Sequence, residues 1–212
     1  MVDLIESRKH KAKKVAWALQ IVPFIRFIGL TGSLAYDIVN ENSDIDIFII
    51  TSAKRIWTCR FFVMLFLKIF RLQRIGDSKT ARAGKICPNR FVSDDYLMIN
   101  PQNRYHAQDY SQMVPLFDDN IYDKFLSENS WMKKYGYFPN RRLIILVRSA
   151  GILSSIRKIS EYILRGRFGD WVEAKTKKYQ IGILKKRYPN FNHLSSGIYA
   201  NDEEIRIHPH PK

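Results

Sequence analysis

The chain has 212 residues, 46% hydrophobic and 13% aromatic, enough for one large domain or two small ones around a packed core, which excludes a disordered or low-complexity polypeptide. Lys and Arg outnumber Asp and Glu by 35 to 20, a formal net charge of +15; this favours a polyanionic partner such as RNA, DNA, a nucleotide or an anionic membrane and disfavours a cationic small-molecule acceptor. No signal-peptide h-region opens the chain, no apolar run reaches spanning length, and Cys59 and Cys87 have no CxxC spacing, so the expectation is a cytoplasmic protein with reduced, structural thiols and no membrane partner.

Ser7 to Val22 reads as a basic amphipathic helix. Val15, Ala16, Leu19 and Ile21-Val22 lie on its inward side, and Arg8, Lys9, Lys11, Lys13 and Lys14 crowd its first turns. Positive charge there opposes the helix dipole, so these side chains are read as solvated rather than as a phosphate contact.

The informative stretch is Phe27 to Thr51, FIGLTGSLAYDIVNENSDIDIFIIT. A short apolar strand ends at Gly32-Ser33, Leu34 to Val39 allows two helical turns, and Asn40 to Ser43 has the composition of a turn. A second, β-branched strand then opens with Asp44-Ile45-Asp46. Residues i and i+2 of a strand share a face, so Asp44 and Asp46 aim side by side while Ile45 and Ile47 face the core. Two carboxylates that close repel unless a cation lies between them, and oxygen ligands favour Mg²⁺ or Mn²⁺. The N–H groups opening a helix at Gly32-Ser33 would cradle a phosphate.

Gly32-Ser33, ten intervening residues, then Asp44-Ile45-Asp46 within apolar strands resembles the signature of the DNA polymerase β-like nucleotidyltransferase superfamily. The resemblance covers about Phe27 to Thr51. It implies an α+β fold: a small mixed-sheet palm with covering helices, followed by a helical C-terminal part. It also implies transfer of a nucleoside monophosphate from a nucleoside triphosphate to an acceptor hydroxyl, with Asp44 and Asp46 as catalytic, metal-binding acids and Gly32 and Ser33 on the β/γ-phosphates. In that family a third acid, the general base, sits on the next strand. Here Asn89 stands at the strand's centre. Asp95 is the first candidate for the third acid and Asp94 the second, with its absence the other alternative.

Ser52 is placed to cap a helix from Ala53 to about Leu72, apolar nearly all round. It is read as covering the back of the sheet; a membrane-surface helix with its basic residues at the headgroups, or an interface to a second copy and so a homo-oligomer, are the alternatives. Arg71 to Lys85 is a basic connector, and Lys85 to Ile99 a third strand broken near Ser93-Asp94. From Tyr105 the chain reads as helical: Tyr105 to Leu116 ended by Pro115, Asn120 to Gly136, Arg141 to Arg167 and Phe168 to Lys186, the last two carrying mostly basic exposed residues. The expected division is a palm over residues 1–105 and a helical region over 106–212. His208-Pro-His210 in the tail is read as adventitious.

The net charge favours an RNA end as acceptor. Nucleotidylation of a partner protein, as in toxin–antitoxin pairs, and a non-catalytic nucleotide- or RNA-binding module are the competing readings, the latter kept open by Asn89.

Overall fold

A computed structural model describes residues 2–74, 83–139, 146–147, 151–188, 191 and 197–207. The protein is a mixed α/β fold around a six-stranded sheet of order β4-β1-β2-β3-β6-β5. Strand β1 (Ile25–Thr31) runs antiparallel to β2 (Ile45–Thr51), and β3 (Ile86–Ser93) runs parallel to β2. The parallel pair needs a crossover, which α2 (Ile56–Ile69) supplies on one face. Alternation along β2 sorts the core: Ile45, Ile47 and Ile49 face helices α1 (Val2–Leu19), α2 and α6 (Gly166–Arg187). Phe48 and Ile50 face the other layer, α3 (Arg104–Ser111), α4 (Tyr122–Glu128) and the 3₁₀ turn Ser130–Tyr135.

The first helix is as expected on its inward side, with Val15, Ala16 and Leu19 buried. Its basic residues depart from the expectation of simple solvation. Arg8 is buried and donates to the carbonyls of Asn40 and Glu41 (2.7 and 2.6 Å), Lys9 pairs with Asp37 (2.6 Å), and Lys11 donates to the Gly84 carbonyl (2.6 Å). The cations tie down the loops entering β2 and β3. Helix α2 starts at Ile56, with Arg55 rather than Ser52 at its N-cap position, and buries Trp57, Cys59, Val63 and Leu67.

The region after Tyr105 is not purely helical. Tyr105 to Leu116 divides into α3 and strand β4 (Val114–Asp118), which pairs with β1 and contains Pro115. Proline is tolerated there because β4 is an edge strand, where a missing N–H removes no necessary ladder bond. Strands β5 (Tyr199–Ala200) and β6 (Glu204–Arg206) extend the other edge through β6 and β3. Three strands of the sheet therefore come from beyond residue 105, and the sheet runs across the expected division. Arg90 locks this junction: buried on β3, it reaches Glu204 (2.8 Å) and the Tyr110 hydroxyl (3.1 Å).

Helix α5 (Gly151–Ile163) turns its charged side inward. Glu161 accepts from the Phe24 N–H (2.7 Å) and from Arg26 (2.8 Å), and Arg157 donates to the Ile25 carbonyl (3.0 Å). The expected break near 166–169 falls at Leu164-Arg165, and α6 begins at Gly166. His208 and His210 lie outside the described residues.

Candidate acid-cluster site at the start of β2

The end of β1 and the starts of β2 and β3 meet on one edge of the sheet. In register, Asp46 lies opposite Thr31 of β1 and Cys87 of β3. Asp44 just precedes β2, and ligand atoms of Asp44, Asp46 and Cys87 all lie within 4.8 Å of one another. Gly32 follows β1 with φ of 68°, a left-handed conformation open to glycine at little cost. A Cβ at Gly32 would sit 2.5 Å from Asp46 Oδ2, so the glycine is what allows the turn to lie against the carboxylate. Gly32, Ser33, Asp44 and Asp46, separated by up to fourteen positions in the chain, are thus brought to one place.

Two expected features differ. The Gly32-Ser33 turn opens a 3₁₀ turn, Gly32–Tyr36, and not a helix of two turns. The Gly32 N–H is engaged by Asp109 Oδ1 (3.1 Å), which also accepts from the Tyr36 hydroxyl (3.2 Å). A phosphate cradle made of free helix N–H groups is therefore not formed at Gly32. The third acid is also displaced. Asp94 and Asp95 follow β3 at its far end: the Asp94 N–H donates to the carbonyl of Thr51, the last residue of β2, and Asp95 accepts from the Ser93 hydroxyl. Because β3 is parallel to β2, they lie a strand length from Asp44 and Asp46, roughly 20 Å for six or seven residues. Parity along β3 did not reveal this, since parity assigns a face but not an end.

Cys87 and Asn89 are what β3 brings to the site. The Cys87 thiol bonds to Asp46, and Asn89 Nδ2 reaches across to Thr31 Oγ1 (3.4 Å). Cys87 is therefore beside the acid pair and not in purely apolar surroundings. Sequence reasoning missed Asp109, which is buried on α3. Its signal was an acid three residues after His106, on the same helical face, with both side chains buried. Arg74, from the basic connector, donates to Asp44 Oδ2 at 2.6 Å and approaches Cys87 Sγ at 3.8 Å. Residues 75–82 of that connector lie outside the described residues.

The electrostatics follow from this crowding. Burial, then the charges of Asp44 and Asp109, push the Asp46 carboxyl up to about 8, with Arg74 and the Cys87 thiol pulling the other way. Burial also raises Asp109, against the Gly32 and Tyr36 hydrogen bonds and the charge of Arg90. Burial and the two acids push the Cys87 thiol well up, so it stays protonated. The donor chemistry suits a hard divalent ion at Asp44 and Asp46; a neutral thiol is a poor ligand for Mg²⁺, which leaves Cys87 outside such a ligand set. No family model matches the chain, and neither curated proteins nor solved structures gave a match.

Proposed function

We propose that the protein is a divalent-metal-dependent nucleotidyltransferase built on a polymerase β-like palm. The observation that carries the reading is the convergence of Gly32-Ser33 with Asp44 and Asp46 across two antiparallel strands, with Gly32 packed against the Asp46 carboxylate. Asp44 and Asp46 would hold the ion, which when bound compensates the charge of the triphosphate and of the leaving pyrophosphate. The chain's own residues set the stage. Asp109 fixes the turn through the Gly32 N–H. Arg74 neutralises Asp44 and holds its carboxylate in place. In the transfer, the acceptor hydroxyl oxygen bonds to the α-phosphorus as the bond to the bridging oxygen of the β-phosphate breaks. Pyrophosphate leaves with that electron pair, and the hydroxyl proton passes to water, since β3 offers Cys87 and Asn89 and no carboxylate.

The acceptor favoured by the charge balance is an RNA end. Exposed Lys175, Lys178, Lys185 and Lys186 give α6 a basic face that suits a phosphate backbone. A cytoplasmic location fits this chemistry, and among the described residues no helix is long and apolar enough to cross a membrane. The second reading is a non-catalytic nucleotide-binding module; the absence of a β3 carboxylate beside Asp46 favours it. The deciding experiment supplies each α-labelled nucleoside triphosphate with Mg²⁺ or Mn²⁺ and a mixed RNA and protein extract. Label on RNA, lost in the Asp44→Ala/Asp46→Ala protein, is the expected result. Label on a protein band means protein nucleotidylation. Nucleotide binding without transfer under either metal means the non-catalytic module, and transfer by the double variant rejects the assignment.

A further inference from the structure

Beside the acid cluster, between α2, the C-terminal half of α6 and the start of β3, lies a cavity of about 860 Å³, within the range of small-molecule sites. Arg74 and Cys87 belong to its wall and also border Asp44 and Asp46, so it adjoins the acid cluster. Its other cations are Arg60, Lys68 and Arg187, and its rings are Phe61, Tyr179 and Tyr188. No carboxylate lines it among the described residues.

Arg60 is the anomaly. It is 7% exposed, donates to Gln180 Oε1 and lies over the Phe91 ring at 5.9 Å. Its Nε has no hydrogen-bond partner, and no carboxylate pairs with it among the described residues. Burial pulls its pKa down to about 10, still far above neutrality, so the charge stays. A buried cation without a counter-charge is costly, and nature pairs such groups. An anion in the cavity would supply that counter-charge.

We infer that this cavity binds a nucleotide unit, with its phosphate on Arg60 and Lys68 and its base against Phe61 and Tyr179. Cations with no competing carboxylate select a phosphate, and aromatic walls select a flat ring over an aliphatic chain. The two rings meet edge to face at 6.2 Å, and Tyr179 is 60% exposed, which makes its ring accessible to a base. The unit is either a free mononucleotide or the terminal nucleotide of an RNA. Its role as the acceptor subsite, with its sugar end directed past Cys87 toward Asp46, rests on the nucleotidyltransferase reading; its existence as a binding site does not.

Calorimetric titration in metal-free buffer tests it, with AMP, CMP, GMP and UMP in one arm and a hexameric single-stranded RNA in the other. The protein is the full chain, as wild type, Arg60→Gln, Ile183→Trp (which fills the cavity from its α6 wall) and Asp44→Ala/Asp46→Ala. Wild type and the acid double variant are expected to bind alike, and Arg60→Gln and Ile183→Trp at least about tenfold more weakly. Saturable mononucleotide binding identifies a free nucleotide as ligand; binding of the hexamer alone identifies the RNA terminus. Failure of both ligands to bind wild type overturns the inference, as does unchanged affinity in both cavity variants. Cavity binding without any label transfer leaves the inference standing and rejects the catalytic reading. Transfer whose acceptor KM is untouched by Arg60→Gln and Ile183→Trp does the reverse.

Discussion

At the scale of single residues, the site is a balance of like charges held by geometry. Gly32 is the pivot, because any side chain there meets Asp46 Oδ2 and must also adopt φ of 68°. Gly32→Ala should therefore cost roughly 1–3 kcal/mol in denaturant unfolding and lower nucleotide transfer more than stability explains; a variant as stable and active as the parent would refute the close approach. Cys87 is the second test, since it occupies the β3 position opposite Asp46. Cys87→Asp would place a third carboxylate beside two others. In EDTA the variant should melt below wild type, through repulsion. Mn²⁺ should then raise its melting temperature by more than it raises that of wild type, because a third hard ligand strengthens the site. An equal rise in both proteins would mean that residue 87 does not reach the ion, and no rise in either would mean that Asp44 and Asp46 are not ion ligands. Much of this site was legible in the sequence, since Gly32-Ser33 and Asp44-Ile45-Asp46 declare themselves by residue type, spacing and parity. Asp109 and Arg74 were not, because each arrives from a separate element and only the tertiary fold sets their distance to Asp46. Asp95 misled for a physical reason: alternation is blind to which end of a strand a residue occupies.

At the scale of elements, strands with β-branched cores were readable, and the two core faces of β2 follow from period two alone. Edge elements were not. Strands β4, β5 and β6 are short, and β4 carries a proline that reads as a helix stop until its place at the sheet's edge is known. Helix α5 was readable as a helix but not by its orientation, since ion pairs rather than apolar contacts hold its inner face. Glu161 is the centre of that docking. Burial alone would raise its carboxyl, but the Arg26 hydrogen bond and charge, the Phe24 N–H and Arg157 together hold it below the ordinary glutamate range. A carboxylate lowered in the fold gives stability that is present above the unfolded-state value and lost as pH falls through the folded one. Glu161→Gln should accordingly lose roughly 1–3 kcal/mol at neutral pH, where the charge-assisted bonds are intact. The deficit should shrink below about pH 5 as the wild-type carboxyl takes up its proton. Unfolding curves at a series of pH values measure this, and a deficit constant with pH would mean that the ion pair contributes nothing to docking α5.

At the scale of the whole molecule, the excess of positive charge has two separable uses. Part is structural: Arg8, Lys9 and Lys11 bind loops, Arg90 and Arg157 join strands to helices, and Arg74 answers Asp44. These cations are spoken for by the fold and cannot meet a polyanion without breaking it. Among the described residues another part lies on exposed surface, and α6 ends in Lys185, Lys186 and Arg187 next to the cavity that Arg60 lines. Net charge therefore overstates the surface available to RNA, and the location of the unpaired cations is the better guide. If the last turn of α6 tracks a single strand, each lysine in contact with phosphate contributes about −0.7 to the slope of log K against log salt. Lys185→Ala/Lys186→Ala should then flatten the slope by about 1.4 and weaken binding most at low salt, with no change in melting temperature because both side chains are exposed. Fluorescence anisotropy with a labelled single-stranded RNA across a salt series gives both numbers. A slope unaltered by the double variant would move the RNA path off α6, whereas the expected flattening would place the single strand along the last turn of α6, beside the cavity that Arg187 lines.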